Sequence, residues 1–294
     1  MANQRDIRNR IKSISNTKKI TSTMEMVSTA KMKKMQIRLE QSKPYENKVN
    51  EIITNLISTG VSATLMDPHF REVSDPSRIL ILTIAGNRGL CGSFNTNIIE
   101  KSLNFKDKLV EEGKEVLNYV IGKKGINFMN FIKEPMYKSA PNPEDRISFE
   151  TATKIGNELR QLFISGEVHE VYIAYTKVVS SSSQKPEIIR LLPIPPDEEV
   201  LKDPTSRSNV EYIFEPNPAR IFSYLLPLFI KVRIFTCFLE SAFSEQFSRR
   251  VAMKNATDAS GEMIRELTIS YNRARQAKIT NEIAEIVGGA AALE

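Results

Sequence analysis

Two long segments at opposite ends of the chain carry apolar side chains at helical spacing, with almost no glycine or proline among them. The first covers residues 6–56 and is interrupted only by Pro44. The second covers residues 218–287; it has no proline after Pro227, and Gly261 is its one glycine. At about 1.5 Å per residue, each helix would be at least ~70 Å long. Helices of this length need a partner, so the pattern predicts that they pair as a long antiparallel coiled coil.

The first helix has an interrupted apolar contact surface. Ile7, Ile11 and Ile14 are separated by four and three residues, which is the heptad spacing of a coiled coil. The next positions in this frame are polar or charged: Lys18, Thr21, Glu25 and Ser28. We therefore expect the contact surface to move to a neighbouring frame and then return, through Ile20, Met24, Val27, Met32, Met35 and Leu39.

The second helix changes character along its length. Asn217 is a suitable N-cap, and Pro218 suits the first helical position. The glycine pair at 288–289 predicts the end of the helix. The first half is rich in phenylalanine, whereas the second half repeats small and apolar residues at intervals of three and four: Met253, Ala256, Ser260, Met263, Leu267, Ser270, Ala274 and Ala277.

The middle of the chain alternates predicted strands and helices. Strands are predicted at residues 78–85, 116–121, 171–177 and 187–194, and helices at residues 95–111 and 148–164. This order predicts a central small α/β (Rossmann-like) domain whose largely parallel sheet is buried on both faces. The predicted parts are an N-terminal helix (1–58), an α/β domain (75–195), a connecting loop (196–216) and a C-terminal helix (217–294).

Positive charge is concentrated in the first helix. Residues 1–40 contain ten Lys and Arg against three acidic residues, whereas the net charge of the whole chain is +6. A local excess of this kind predicts an acidic partner surface, nucleic acid or anionic lipid, or simply a solvated basic face. A basic coiled-coil protein that binds nucleic acid is therefore one functional alternative.

The most apolar stretch, residues 221–239, is the one candidate for a membrane span. Lys231 and Arg233 lie near its centre, where each costs ~2.5–3.5 kcal/mol, so a buried helix start is the better interpretation. Two cysteines, Cys91 and Cys237, indicate a reducing compartment rather than a disulfide framework. We expect no cleaved leader, because the basic N-terminal segment continues directly into helical spacing.

One glycine-rich turn resembles a phosphate-binding loop. The predicted strand at 78–85 is followed by Gly86, Gly89 and Gly92 and then by a helix. This spacing is neither G-x-G-x-x-G nor the P-loop pattern, so a structural turn is the favoured interpretation and a nucleotide-dependent enzyme the alternative. The residues form no recognisable acid–base, nucleophilic or metal-ligand pattern, and we predict no catalytic residue, cofactor site or metal site.

Three strings of residues resemble the gamma subunit of F-type ATP synthases. They are RIKSISNTKKITSTMEMVSTAKMKKMQ (10–36), GNRGLCGSFN (86–95) and MKNATDASGEMIRELTISYNRARQAKITNEIAEIVGGAAAL (253–293). The third is the most specific, because its resemblance is dense over about forty residues. Together they account for both ends and the centre of the chain, in the order of that family.

The resemblance implies a non-catalytic rotor subunit. In this family, the terminal helices form a shaft inside a hexamer of alpha and beta subunits. The α/β domain sits on the membrane rotor ring with the epsilon subunit, and rotation couples ion flow to ATP synthesis and hydrolysis. The resemblance thus implies these partners, no nucleic acid, an indirect contact with the membrane, and a peripheral location on the cytoplasmic side of a bacterial plasma membrane.

The resemblance also implies which residues couple rotation to catalysis. The N-terminal coupling motif matches the segment from Lys19 to Val27, in which Met24 lies opposite an acidic lever segment of the beta subunit. Arg275 and Gln276 match a pair that contacts a beta-subunit loop. Thr280 and Glu282 match further positions linked to coupling.

Overall fold

The computed structural model describes residues 4–58, 68–70, 73–180, 183–194 and 218–291. Two short 3-10 helices lie at Pro68–Phe70 and Glu144–Arg146. The predicted connecting loop and the predicted cap at Asn217 lie outside the described residues. The main elements are α1 (Gln4–Ser58), β1 (Arg78–Ile84), α2 (Phe94–Glu111), β2 (Glu115–Ile121), α3 (Lys123–Phe131), β3 (Lys138–Ala140), α4 (Phe149–Ile164), β4 (Glu170–Val178), β5 (Gln184–Leu192) and α5 (Pro218–Ala291).

The fold class is confirmed: two long terminal helices enclose, in chain order, a mixed α/β segment with one five-stranded sheet. The chain divides into two compact units. The helix-pair unit contains residues 1–29 and 249–294, and the sheet unit contains residues 30–248. Both long helices therefore contribute to both units, whereas the predicted parts follow the ends of the helices.

The sheet has the strand order β3-β2-β1-β4-β5. β1 runs parallel to β2 and β4, and β2 runs parallel to β3, as predicted for a largely parallel sheet. β5 is the exception, because it pairs antiparallel to β4. A hairpin needs only a short connection, and the few residues between β4 and β5 leave no room for a crossover helix.

Each face of the sheet has its own hydrophobic core. In β1, Leu80, Leu82 and Ile84 pack into the cluster that includes α1, α4 and α5, whereas Ile79 and Ile81 pack into the cluster with α2 and α3. Successive side chains of a strand point to opposite faces. The continuous apolar run RILILTI therefore serves two cores, which is why it shows no alternation of apolar and polar residues.

Neither α3 nor β3 was predicted from the sequence. Gly125 lies inside α3, where a Cβ atom would be 2.9 Å from Val120 Cγ1 and 3.2 Å from Ala85 Cβ. The glycine thus allows the helix to approach the sheet closely, although helix propensity alone counts it as unfavourable. β3 has only three residues, too few for a periodic pattern. By contrast, the predicted cap of α4 is confirmed, because Ser148 Oγ accepts a hydrogen bond from the Thr151 backbone N–H at 3.2 Å.

Two predicted interruptions of the long helices are wrong. α1 continues through Pro44, whose side chain is exposed, so the carbonyl that loses its N–H donor has access to water. α5 continues through the glycine pair at 288–289 to Ala291. Glycine costs about 1 kcal/mol in a helix relative to alanine, but it does not force the helix to end.

The seam between the helices of the helix-pair unit keeps one heptad frame. On α1 the predicted shift is wrong: Thr21 and Ser28 are 8% and 2% exposed, whereas Ile20 and Val27 are 60% and 50% exposed. Met24, the third residue of the shifted frame, is half-buried. Thr21 and Ser28, two of the four polar residues that seemed to break the frame, therefore lie in the seam, because small hydroxyl side chains fit between closely spaced backbones; Lys18 is exposed and Glu25 half-buried.

The seam on α5 is also a regular heptad, in a partly different frame from the predicted one. Met263 is 54% exposed, and Ser270 and Ala277 are exposed as well, so their assignment to the seam is wrong. Residues that are buried or half-buried recur at intervals of four and three: Met253, Thr257, Ser260, Ile264, Leu267, Tyr271 and Ala274. Across the seam, the side-chain oxygens of Thr21 and Thr257 are 2.7 Å apart, a hydrogen bond that fixes the register.

This seam predicts different effects for two serines of α5. Ser260→Leu places a large side chain in a site that is 8% exposed, and overpacking of this kind costs about 1–3 kcal/mol. The matched control Ser270→Leu changes an exposed position of the same helix and leaves stability nearly unchanged. Urea unfolding of the two variants measures both values. Equal destabilisation by both substitutions would contradict the observed frame.

Candidate functional site

The predicted contact residues divide between two places on the helix-pair unit. Because Thr21 lies opposite Thr257 in an antiparallel pair, Gln4 lies opposite Ala274. α5 then continues to Ala291, a further length of roughly 25 Å, without α1 beside it. All side chains from 275 to 288 are exposed.

Arg275, Gln276, Thr280 and Glu282 all lie on this projecting end of α5, defined here as residues 275–291. Lys278 Nζ is 3.5 Å from Glu282 Oε1, and both side chains are more than half exposed. An exposed ion pair contributes only about 0–1 kcal/mol. The side chains of the projecting end are therefore available to exchange these contacts for contacts with another protein.

Lys19 and Met24 lie farther along the helix pair. Lys19 is exposed, and Met24 is half-buried at the border of the seam. By the same register Met24 lies opposite Lys254, which is 21 residues from Arg275 and so roughly 30 Å away along α5. The structure therefore does not bring the six predicted residues into one site; they lie in two separate zones of the helix pair.

The helix pair also exposes large apolar side chains. Three of them, Ile20, Val27 and Met263, were predicted to lie in the seam. A soluble monomer rarely leaves so many large apolar residues uncovered, and such surfaces mark contacts with other proteins. On α1 they are Ile20, Met26 and Val27, and on α5 they are Met263, Ile269, Ile279, Ile283, Ile286 and Val287. On α1 the signal for them in the sequence was their position outside the heptad frame of Ile7, Ile11 and Ile14.

Basic side chains surround these apolar residues on α1. In residues 4–29, six Lys and Arg side chains stand against Asp6 and Glu25, and all six cations are exposed: Arg5, Arg8, Arg10, Lys12, Lys18 and Lys19. The surface of the helix pair is thus apolar and basic together, which suits an acidic protein surface with apolar contacts.

The sheet unit contains the crevice at which many α/β proteins bind nucleotides. In such sheets the site lies outside the carboxyl ends of the strands, where the strand order reverses. Here that point lies between β1 and β4. β1 ends at Ile84, and the glycine-rich turn follows it directly, so the turn is correctly placed for a phosphate site.

The chain's own helix α5 fills this crevice. Ser241 Oγ accepts a hydrogen bond from the Thr176 backbone N–H, and Ser244 Oγ donates one to the Thr176 carbonyl, both at 3.3 Å. A Cβ atom on Gly86 would lie 3.0 Å from the carboxyl carbon of Glu245. A carboxylate in this position repels a phosphate, so both space and charge disfavour a nucleotide.

Side chains of the sheet unit also hold the backbone of the turn. Asn95 accepts a hydrogen bond from the Gly86 N–H at 2.8 Å and donates to the Arg88 carbonyl at 3.2 Å. Asn87 Oδ1 accepts from the backbone N–H groups of Lys123 and Asn142. These bonds tie the turn to α2, α3 and the segment after β3, which supports its interpretation as a structural turn.

In the described part of the chain, no group of three or more His, Cys, Asp or Glu side chains is arranged to hold a metal ion. No helix in that part is long and apolar enough to cross a membrane.

Comparison with known proteins places these features in one family. Residues 3–293 match the family model described as ATP synthase. The ATP synthase gamma chain of Leptospira biflexa is 42% identical over 293 residues, and the alignment covers 100% of both chains. The ATP synthase gamma chain of Dehalococcoides mccartyi is 41% identical over 293 residues, also with 100% of both chains covered.

Solved structures agree on the fold. A chain of the Euglena gracilis mitochondrial ATP synthase matches with a TM-score of 0.67 at 18% identity, covering 99% of this chain and 94% of that chain. A chain from the central stalk and c-ring of the Tetrahymena thermophila mitochondrial ATP synthase matches with a TM-score of 0.61 at 24% identity, covering 81% of this chain and 99% of that chain.

The filled crevice predicts that the isolated chain does not bind ATP tightly. Calorimetric titration of the purified full-length chain with MgATP is expected to show no stoichiometric binding at micromolar concentration, because the Glu245 carboxyl group of α5 lies against Gly86 at the turn. Saturable micromolar binding that Gly89→Ala weakens would contradict this assignment. Gly89 suits that test because an added Cβ meets only the flexible end of Lys124, at 3.6 Å.

Proposed function

The chain belongs to the ATP synthase gamma-chain family, and from this we infer that it is the non-catalytic central rotor subunit of an F-type ATP synthase. The observation that carries this conclusion is the agreement with gamma chains over the whole length of the sequence. The alternative of a basic coiled-coil protein that binds nucleic acid is not supported, since the relatives and structural neighbours of this chain belong to ATP synthases. The basic residues of α1 then need a protein partner.

That partner is a hexamer of alpha and beta subunits around the helix pair. The support is the combined apolar and basic character of the exposed surface of the helix-pair unit, where Ile20 and Val27 lie beside Lys18 and Lys19. Apolar contacts hold the helices within the hexamer, and the free-energy cost of exchanging one such contact for another is low. The cations attract an acidic lever segment of each beta subunit when rotation brings that segment close to them.

The sheet unit contacts the epsilon subunit and the membrane rotor ring. Its support is family membership, together with exposed aromatic residues on this unit, such as Phe131 at 83% and Tyr224 at 70%. The complex as a whole is associated with a membrane. We assign the chain to the cytoplasmic side of a bacterial plasma membrane, where its contact with the bilayer is indirect, through the ring.

The regular seam suits the helix pair to carrying torque. Thr21 and Thr257 bond across the seam, and Ser28 and Ser260 allow close approach, so the two helices resist sliding past one another. Different residues face outward on α1 and on α5. Each beta subunit therefore meets a different surface at each rotor angle, which is the asymmetry that rotary coupling needs.

The two contact zones have separate tasks in this proposal. Lys19 and Met24 contact the acidic lever segment of the beta subunit and couple the position of that segment to the angle of the rotor. The projecting end of α5 contacts a beta-subunit loop and keeps the end of the rotor in position within the hexamer. The residues that make this contact are Arg275, Gln276, Thr280 and Glu282. The separation of the two zones, roughly 30 Å along α5, follows from 21 residues of helix.

A new cation in the first zone is expected to uncouple the motor. Met24→Lys places a charge next to the acidic lever segment and over-stabilises particular rotor positions, because an ion pair gains strength where water is excluded. ATP hydrolysis continues, while ion pumping per ATP falls several-fold. The measurement is hydrolysis and pumping, side by side, in vesicles that contain the reconstituted complex.

The matched control for the first zone is Asn16→Lys. Asn16 is an exposed polar residue of α1, outside both the coupling motif and the exposed apolar residues. The variant introduces the same charge away from the proposed contact, so it leaves the pumping-to-hydrolysis ratio close to that of the unchanged complex. An unchanged ratio in the Met24 variant would remove this residue from the coupling path.

Loss of the second zone is expected to lower turnover instead. Arg275→Ala combined with Gln276→Ala removes the side chains that hold the beta-subunit loop, so hydrolysis and pumping fall together by roughly tenfold, equivalent to about 1.4 kcal/mol. Asn272→Ala combined with Arg273→Ala is the matched control, since these exposed residues lie one turn earlier. Equal turnover in both double variants would exclude a specific role for Arg275 and Gln276.

A further inference from the structure

The sheet unit contains a group of buried and half-buried charged side chains with one more carboxylate than cation. Its members come from four elements, and we call it the charge cluster: Glu46 on α1, Lys177 on β4, Glu187 on β5, and Arg233 and Glu240 on α5. The group lies where α5 packs on the outer strands of the sheet. Nothing in the proposed rotor function accounts for it.

Two of the three carboxylates have a cation of their own. Arg233 Nη1 is 2.9 Å from Glu46 Oε1, and Lys177 Nζ is 3.2 Å from Glu187 Oε1. Glu240 is 9% exposed and is the carboxylate left over. The cluster is therefore electrically balanced only when one proton is added to it.

The hydrogen bonding around Glu240 is incomplete in the same way. Its carboxyl group accepts a hydrogen bond from the Val178 backbone. The other oxygen, Oε2, is buried without a hydrogen-bond partner, as are Glu187 Oε2 and Thr176 Oγ1. A proton on Glu240 would turn its carboxyl group into a possible O–H donor, and it would remove the cost of an unpaired buried charge.

The surroundings of Glu240 favour that proton near neutral pH. Burial raises the pKa of Glu240 to about 7; the Glu46 carboxylate also raises it, and the Val178 backbone, Arg233 and Lys177 oppose the rise. Burial also raises the pKa of Tyr175 and of the Cys237 thiol, so these two neighbours stay neutral and do not supply a balancing charge.

We propose that Glu240 is a proton-binding switch that sets how firmly α5 is held against β4 and β5 within the sheet unit. With the proton bound, the cluster is neutral and α5 packs tightly. With the proton released, an unpaired carboxylate remains in the packed interface and loosens it. This proposal concerns the sheet unit alone and stands independently of the rotor assignment.

The sign of the pH effect follows from linkage. The pKa of Glu240 is higher in the folded chain than its ordinary value of 4.5, so the folded state binds this proton more tightly than the unfolded state does. The resulting stability is fully present below about pH 4.5 and is lost as the pH rises through about 7. This direction is opposite to that of an ordinary carboxylate in a salt bridge.

The first experiment compares thermal unfolding of full-length chains between pH 5.5 and 8.5. In the unchanged chain the Tm should fall between pH 5.5 and about 7 and then level off, whereas Glu240→Gln keeps a neutral hydrogen-bonding side chain and should lose that part of the decrease. Glu262→Gln removes an exposed carboxylate from the same helix and should keep the decrease. Identical pH profiles for the unchanged chain and Glu240→Gln would overturn the proposal.

A second measurement needs no substitution and decides the case if Glu240→Gln fails to fold. The Val178 amide donates to the Glu240 carboxyl group, so its NMR chemical shift in the unchanged, isotope-labelled chain should titrate with a midpoint near pH 7. The Thr176 amide donates a hydrogen bond to Ser241, the residue after Glu240, and its hydrogen exchange with solvent should accelerate over the same pH range. A Val178 shift that stays constant between pH 5.5 and 8.5 would overturn the proposal.

Discussion

The packing of the first half of α5 against the sheet is the contact on which the sheet unit depends. Five of its apolar residues are at most 1% exposed: Leu226, Ile230, Ile234, Phe238 and Leu239. At about 1.5–3 kcal/mol for each fully buried side chain, they contribute of order 10 kcal/mol before the entropy cost of folding. Strands, α1 and α4 meet in the same core.

That packing also determines what the α/β fold is used for. The crevice at the carboxyl ends of β1 and β4 is the place where this architecture commonly binds nucleotides. Here Ser241 and Ser244 bind the end of β4, and Glu245 lies against Gly86, so helix and crevice become parts of one structure. The fold thus serves as a rigid support for a long helix rather than as a nucleotide-binding site.

The same helix brings polar groups into the interior. Apolar burial near Phe238 supplies the stability that allows a charged cluster with an unpaired carboxylate to persist beside it. In the helix-pair unit, by contrast, the seam combines small hydroxyl side chains with large apolar ones. Other large apolar residues of this unit, such as Ile20 and Met263, point outward and suit contacts that change as the subunit turns.

The sequence by itself determined the two long helices, the alternating α/β segment, the cap at Ser148 and the family, because these depend on local periodicity or on long matching strings. It did not determine the seam, since Thr21 and Ser28 count as polar by type, and only the spacing of the two backbones decides that small polar residues belong there. The distance between Met24 and Arg275, α5's occupation of the crevice and the charge excess around Glu240 were likewise decided by the tertiary structure. Each depends on residues far apart in the chain, whose proximity no local pattern records.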